Sequence, residues 1–329
     1  MERKNDKVDN YKKRIYFTKI KRTGRYLVIL FMFPYIVTAL INGPGLLATS
    51  KHDEVNIKLK NGGEIPVDDY CIGILAKEMS ADYEKEALKA QAVLVRTGVY
   101  RKIQETGNDG TIEEDCWTAK QMKAAWGMQY IQNYRKLKGA LGGTTGQVLF
   151  YENSLAMTPF FKQSNGYTRD AGEVLGNEDY PYLKIVACPA DAEAENEMQT
   201  GVLGELQEEK NREKGDVEAE GEKVNVETTD IEILETDSVG YVLKVRVGEE
   251  TISGEEFRNR YHLPSSCFTL QRYNGKLWVT TRGIGHGIGM SQYTANQMAK
   301  EKKGYKKILK YFFKGTKIRE VTDIVNFDK

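Results

Sequence analysis

Residues 68–103 read DDYCIGILAKEMSADYEKEALKAQAVLVRTGVYRKI, and their apolar spacing predicts two consecutive helices. Tyr70, Ile74 and Leu75 recur at helical intervals, with Asp68 placed to cap the first helix. Ser80-Ala81-Asp82 breaks the pattern before a longer helix from about Tyr83 to Ile103. Glu84 and Glu86 fall in its first turn, where a helix dipole favours anions. Leu88, Ala92, Val95 and Val99 form one narrow stripe expected to face a core, with Lys89 and Arg96 stacked on its flank. Glu78 stands at the break between the helices.

Outward from this pair the chain alternates strands with further helices. A strand at VNIKL (55–59) and a turn at Asn61-Gly62-Gly63 lead in. After a polar loop with Gly107 and Gly110, residues 116–139 form an amphipathic helical stretch. GQVLFYEN (146–153), MTPFFKQS (157–164) and YLKIVA (182–187) are strand-like, as are DIEILET (230–236), YVLKVRV (241–247) and KLWVTT (276–281). Between them, residues 190–230 hold fourteen acidic residues against four basic ones and no aromatic. Such a segment buries too little apolar surface to offset its ordering entropy, so it reads as a flexible acidic insertion. The fold class is therefore α+β, with the main domain over 55–189 and 231–320.

The N-terminus has a different character. Residues 1–25 carry ten basic residues against three acidic ones, and residues 26–50 carry no charge. Residues 26–48 are long and apolar enough for one transmembrane helix, which needs roughly 20 residues. The preceding lysines and arginines place a basic tail in the cytoplasm and everything after Lys51 outside. Cleavage as a signal peptide near Leu47-Ala48-Thr49-Ser50 is the alternative. The net charge of +1 gives no argument for a nucleic-acid partner. The four cysteines form no CxxC pair, and three disulfide pairings remain open.

The chemistry-bearing residues are few. Glu78 could be a half-buried general acid or a solvent-facing carboxylate at a helix end. Lys89 and Arg96 could reach a ligand or be a solvated face. In Arg282-Gly283-Ile284-Gly285-His286-Gly287-Ile288-Gly289-Met290, alternating glycines allow close backbone approach and deliver one histidine, followed by Ser291 and Gln292. His286 could equally be a buried structural histidine. No HExxH, GxSxG or dinucleotide-binding glycine fingerprint is present.

Taken together and in order, these segments resemble the SpoIID/LytB family of peptidoglycan lytic transglycosylases. The resemblance is carried by residues 70–79 and 86–97 and by Gln163-Ser164-Asn165-Gly166-Tyr167-Thr168 with Pro181-Tyr182-Leu183. It continues in Ile252–Arg258 with Leu263–Ser266, and in Gly285–Tyr293. It implies a SpoIID-like extracellular domain of helices and mixed strands around a cleft, with Glu78 as catalytic acid. It further implies that Lys89, Arg96, Ser164, Asn165, Gly166 and Thr168 line the glycan groove. His286, Gly287, Gly289, Met290, Ser291 and Gln292 would complete it. The implied partners are peptidoglycan glycan strands, the membrane through the N-terminal helix, and other cell-wall or engulfment proteins. No cofactor is expected. Some family members hold zinc after the long helix through two cysteines six apart; here Cys116 matches the first, Met122 occupies the second place, and no metal is expected. A non-catalytic wall-binding or amidase-enhancing module is the alternative.

Overall fold

The computed structural model describes residues 56–60, 62–107, 111–113, 115–195, 198–203 and 230–323. The basic tail (1–25) and the anchor expected at 26–48 lie outside the described residues. Among the described residues, no helix is long and apolar enough to cross a membrane.

A short hairpin, β1 (Asn56–Lys58) and β2 (Glu64–Pro66), feeds α1 (Val67–Glu78). Pro66 holds the N-cap position in place of the expected Asp68, which falls in the first turn. Next comes α2 (Lys85–Thr106). Its buried residues include Ala87, Leu88, Ala90, Ala92, Val93, Leu94 and Val95, far more than one stripe. Small alanines let neighbours approach from several sides, and α2 becomes the central helix of the large core.

The stretch expected as one helix over 116–139 divides. Gly127, at φ 50°, separates α3 (Ala119–Trp126) from a short 3-10 turn and α4 (Tyr130–Gly142). Thr118 and Gln121 form a reciprocal capping box at the start of α3. Then β3 (Gln147–Tyr151) and β4 (Ser154–Leu155) pair, followed by β5 (Phe160–Phe161) and α5 (Ala171–Leu175). Residues 182–187 form no ladder strand. Thr168 instead ties this segment in, its Oγ1 accepting from Val186 N at 2.7 Å and donating to Lys184 O at 2.9 Å.

The acidic interval is corrected at its start. α6 (Pro189–Ala192) and β6 (Met198–Val202) are ordered structure, and Leu203 is fully buried. Asp191, counted among the solvated acids, is 0% exposed. Residues 204–229 lie outside the described residues. Strands β7 (Ile231–Thr236), β8 (Val242–Val247) and β9 (Glu250–Ser253) form an antiparallel sheet, and α7 (Gly254–Arg260) follows. β10 (Phe268–Tyr273) and β11 (Lys276–Arg282) pair, and β6 adds to β11. Phe257, Tyr261, Phe268, Val245 and Val279 centre this second core.

The chain closes with β12 (Met290–Ser291), α8 (Gln292–Lys300), α9 (Tyr305–Phe312) and β13 (Lys317–Glu320). β12 lies parallel to β5, and β13 joins β3. Ala295, Ile308, Leu309 and Phe312 return α8 and α9 to the large core. The architecture is α+β, with several small sheets around a buried helix.

Candidate active site

Glu78 is the last residue of α1, and its side chain is 38% exposed. Among the described residues, the one cationic group within 4.0 Å of its carboxyl is Lys77 Nζ, at 3.9 Å. Lys77 is ion-paired with Asp115, whose hydrogen bond pushes the Lys77 ammonium above its ordinary value. A half-exposed carboxyl beside a neutralised lysine can meet a substrate oxygen and exchange a proton with it.

The backbone around Glu78 is held from far along the chain. Gln292 Nε2 donates to Glu78 O at 3.0 Å, and Glu84 N donates to Asn296 Oδ1 at 2.8 Å. Gln292 and Asn296 lie one turn apart on α8, so one helix face grips both ends of the α1–α2 turn. Glu84 makes no side-chain cap for α2, and Asn296 satisfies its N–H from outside.

α8 is itself fixed by a buried anion. Asp191 accepts from Ser164 N at 2.7 Å, Ser164 Oγ at 2.6 Å, Ser291 Oγ at 3.0 Å and Thr294 Oγ1 at 2.6 Å. Burial pushes its carboxyl above the usual carboxylate range, partly offset by these bonds. Ser291 also caps α8, accepting from Thr294 N at 3.2 Å. Ser164 and Ser291, expected to face a glycan, are both 0% exposed and face Asp191 instead.

The glycine-rich loop threads between these segments. Gly283, Gly285, Gly287 and Gly289 all have positive φ. A side chain at Gly289 would stand 2.1 Å from Pro159 O, and one at Gly287 would stand 2.8 Å from both Arg169 and Tyr241. His286 is half-buried and fully engaged. Its Nε2 donates to Phe160 O at 3.1 Å, and its Nδ1 accepts from Ile288 N at 3.1 Å. Since the first partner can only accept and the second only donate, the ring is the neutral Nε2–H tautomer. Burial holds His286 below the ordinary histidine value, although Glu255 opposes this.

A second hub was not visible in the sequence. Arg169 is 1% exposed and bonds Asp237 Oδ2 at 2.5 Å and His286 O at 3.2 Å, with its guanidinium 4.8 Å from the Tyr241 ring centre. It joins the Ser164 block to the glycine loop and to the β7–β8 hairpin. Asn165 reinforces the joint, donating through Nδ2 to Val239 O at 2.7 Å.

Several expected groove residues are therefore framework. Arg96 is 2% exposed, and its guanidinium donates to Thr144 O at 2.6 Å, Leu141 O at 3.1 Å and Gln147 O at 3.3 Å. It caps the end of α4, where four carbonyls lack helical partners. It does not stack with Lys89 on an open flank. Lys89 pairs with Glu86 at 2.7 Å and sits 5.5 Å from the Tyr305 ring centre. Thr168 and Met290 are buried, and Gly166 N is bonded to Ser164 Oγ. The Ser164 block, the glycine loop and α8 hold one another through Asp191 and Arg169, and Gln292 ties α8 to the backbone of Glu78.

Burial pushes the Cys71 and Cys188 thiols up to about 12, so neither is a thiolate nucleophile at neutral pH. No disulfide joins any of the four cysteines. Cys116 lies against Gly73, and Met122 is buried in the large core. Among the described residues, no cluster of three or more His, Cys, Asp or Glu side chains could hold a metal ion. A cavity of about 310 Å³ lies toward the far end of α2, lined in part by Arg101, Tyr151, Tyr180 and Tyr182, and does not include Glu78.

This geometry coincides with a family match. The family model SpoIID, described as stage II sporulation protein, matches residues 56–151, which contain Glu78 and both helices that flank it. A stage II sporulation protein D of Bacillus amyloliquefaciens is 32% identical over 297 residues, covering 84% of this chain and 79% of that protein. The chain belongs to the SpoIID family. A second stage II sporulation protein D, from Bacillus subtilis (strain 168), is 34% identical over 274 residues, 80% of this chain and 77% of that protein. An amidase enhancer of the same strain is 24% identical over 290 residues, 74% of this chain but 39% of that protein. This SpoIID-family chain thus carries the Asp191 and Arg169 hubs within the span its relatives cover.

Proposed function

We propose that this protein is a peptidoglycan lytic transglycosylase acting during sporulation, at engulfment. Residues 26–48 would hold it at the cell membrane, with the N-terminus cytoplasmic and the catalytic domain outside. The observation that carries this reading is the setting of Glu78, an accessible carboxyl on a turn clamped by Gln292 and Asn296. Most glycoside hydrolases need two carboxylates, one for the leaving oxygen and one for water or the sugar. A lytic transglycosylase uses no water and needs one. Glu78 protonates the glycosidic oxygen as the bond to the muramyl anomeric carbon breaks. The C6 hydroxyl of that muramyl unit then attacks the anomeric carbon, and Glu78, now a carboxylate, takes the hydroxyl proton. The products are a 1,6-anhydro-muramyl end and a free hydroxyl on the leaving sugar, and Glu78 is restored. The internal nucleophile supplies proximity that a free water lacks.

The roles left for the groove narrow accordingly. Gln292, Ser291, Ser164 and Arg96 position the backbone, and Glu78 with Lys77 is the accessible polar pair. The similarity to an amidase enhancer supports a second reading, a wall-binding module that stimulates another enzyme. Incubating the purified protein with sacculi, intact and stripped of stem peptides, and weighing the sugar ends by mass spectrometry separates the two. Anhydro-muramyl ends that vanish in Glu78→Gln are expected. Unchanged ends with intact binding would favour the enhancer reading.

A further inference from the structure

The chain is almost neutral overall, yet residues 300–317 contain eight lysines against one glutamate. All eight lysines are exposed. Lys303 pairs with Glu301 at 2.9 Å, and among the described residues none of the others has a carboxylate within 4.0 Å. On α9 the aliphatic residues and Phe312 are segregated from the lysines, with Tyr311, 40% exposed, on the outer side. Ile308, Leu309 and Phe312 are at most 1% exposed, while Lys306, Lys307 and Lys310 face out. The like charges repel one another and contribute nothing evident to the fold.

The position of this face suggests its use. Glu86, in the first turn of α2, accepts from Tyr305 N at 2.9 Å, and Lys300 ends the helix whose Gln292 holds Glu78. The lysine face is therefore contiguous with the elements that frame the Glu78 turn. We infer that it is an electrostatic docking surface for the carboxylates of peptidoglycan stem peptides, holding the wall polymer while a glycan strand reaches Glu78. This rests on the glycan-cleaving reading for the identity of the polymer. A bilayer surface fits less well, because an interfacial helix inserts an apolar face, whereas Ile308, Leu309 and Phe312 of α9 are in the core and exposed Tyr311 is tied by its hydroxyl to Ala187 O.

The test is co-sedimentation of the full-length protein in mild detergent, carrying Glu78→Gln so that binding is read without cleavage. The probe is sacculi freed of phosphate polymers, with and without stem peptides. Wild-type lysines should give salt-sensitive pelleting, and Lys306→Glu/Lys307→Glu/Lys310→Glu should weaken it on the order of tenfold or more. Lys→Arg at the same positions should bind as before, which separates charge from misfolding. Equal pelleting of the charge-reversed protein overturns the inference, as does undiminished binding to stripped sacculi. Loss of binding to phosphatidylglycerol vesicles with sacculus binding intact would assign the face to a bilayer and also overturn it. Lysine-dependent pelleting, with no anhydro-muramyl ends made from the same sacculi by the protein that keeps Glu78, would leave the docking face standing and remove the transglycosylase reading alone.

Discussion

The side-chain amide of Gln292 donates to the backbone carbonyl of Glu78 across 214 positions of chain, at 3.0 Å. That carbonyl is among the last in α1 and has no intrahelical partner, so the bond both caps the helix and fixes the backbone from which the carboxyl projects. Gln292→Ala removes the clamp and leaves the carboxyl in place. Anhydro-product formation should fall about 10- to 100-fold, since displacing a catalytic group by about 1 Å costs that much. The melting temperature should drop by only a few degrees, consistent with loss of one hydrogen bond of about 1 kcal/mol. Steady-state rates on sacculi beside a thermal melt check it. Unchanged turnover would mean that the turn holds itself.

Asp191 organises more than any other acid in the described structure. Asp191→Ala would strand four donors in a buried space, the Ser164 N–H and the hydroxyls of Ser164, Ser291 and Thr294. The expected cost is about 3–5 kcal/mol, the range for breaking a buried charged network by removing one partner. Asp191→Asn keeps one acceptor oxygen and should cost less. Urea denaturation of the two variants measures the difference. Equal and small losses would show that the pocket fills with water.

The glycine loop offers a controlled comparison. Gly62 and Gly289 have nearly the same φ, 85° and 84°, but a Cβ at Gly62 meets nothing within 4 Å while one at Gly289 meets Pro159 O at 2.1 Å. Gly62→Ala should cost about 1–2 kcal/mol, from conformation alone. Gly289→Ala adds a backbone clash and should cost more than twice that, with loss of the β5–β12 pairing. Denaturation midpoints of the two single variants decide it, and equal losses would mean that the loop shifts freely.

Local sequence encodes some of these residues and not others. The two helices, the break after Glu78 and the glycine alternation are local signals, carried by neighbours within one or two turns of chain. Glu78, Gln292 and His286 stand inside such patterns, but their local setting leaves structural readings open and only the resemblance to the SpoIID/LytB family marks them as site candidates. Asp191 was lost because its own neighbourhood is acidic and polar, while its four donors lie 27 to 103 positions away. Arg169 is not legible as a hub because its partners Asp237 and His286 lie 68 and 117 positions away. Arg96 was legible as a marked position but not as a buried one, because a cation seven residues after another reads as a helix flank. Its three carbonyl partners, around the end of α4, reverse that assignment.

The neutral His286 ring makes the glycine loop acid-sensitive. Protonation would put a hydrogen on Nδ1, facing the Ile288 N–H that now donates to it. The folded value is held below the ordinary histidine value, chiefly by burial. The unfolded chain therefore binds the proton more readily, and stability must fall as pH falls. The contribution is fully present above the ordinary value of about 6.5 and is lost as pH drops through the lower folded one. Asp191 is shifted upward and contributes the opposite slope, in the carboxylate range, so a single pH series mixes the two. His286→Asn separates them, because it keeps an acceptor for Ile288 N–H and cannot titrate. Urea midpoints measured from about pH 7.5 to 5 should decline in the wild type and stay flatter in the variant. Parallel curves would show that His286 does not govern the loop's acid response.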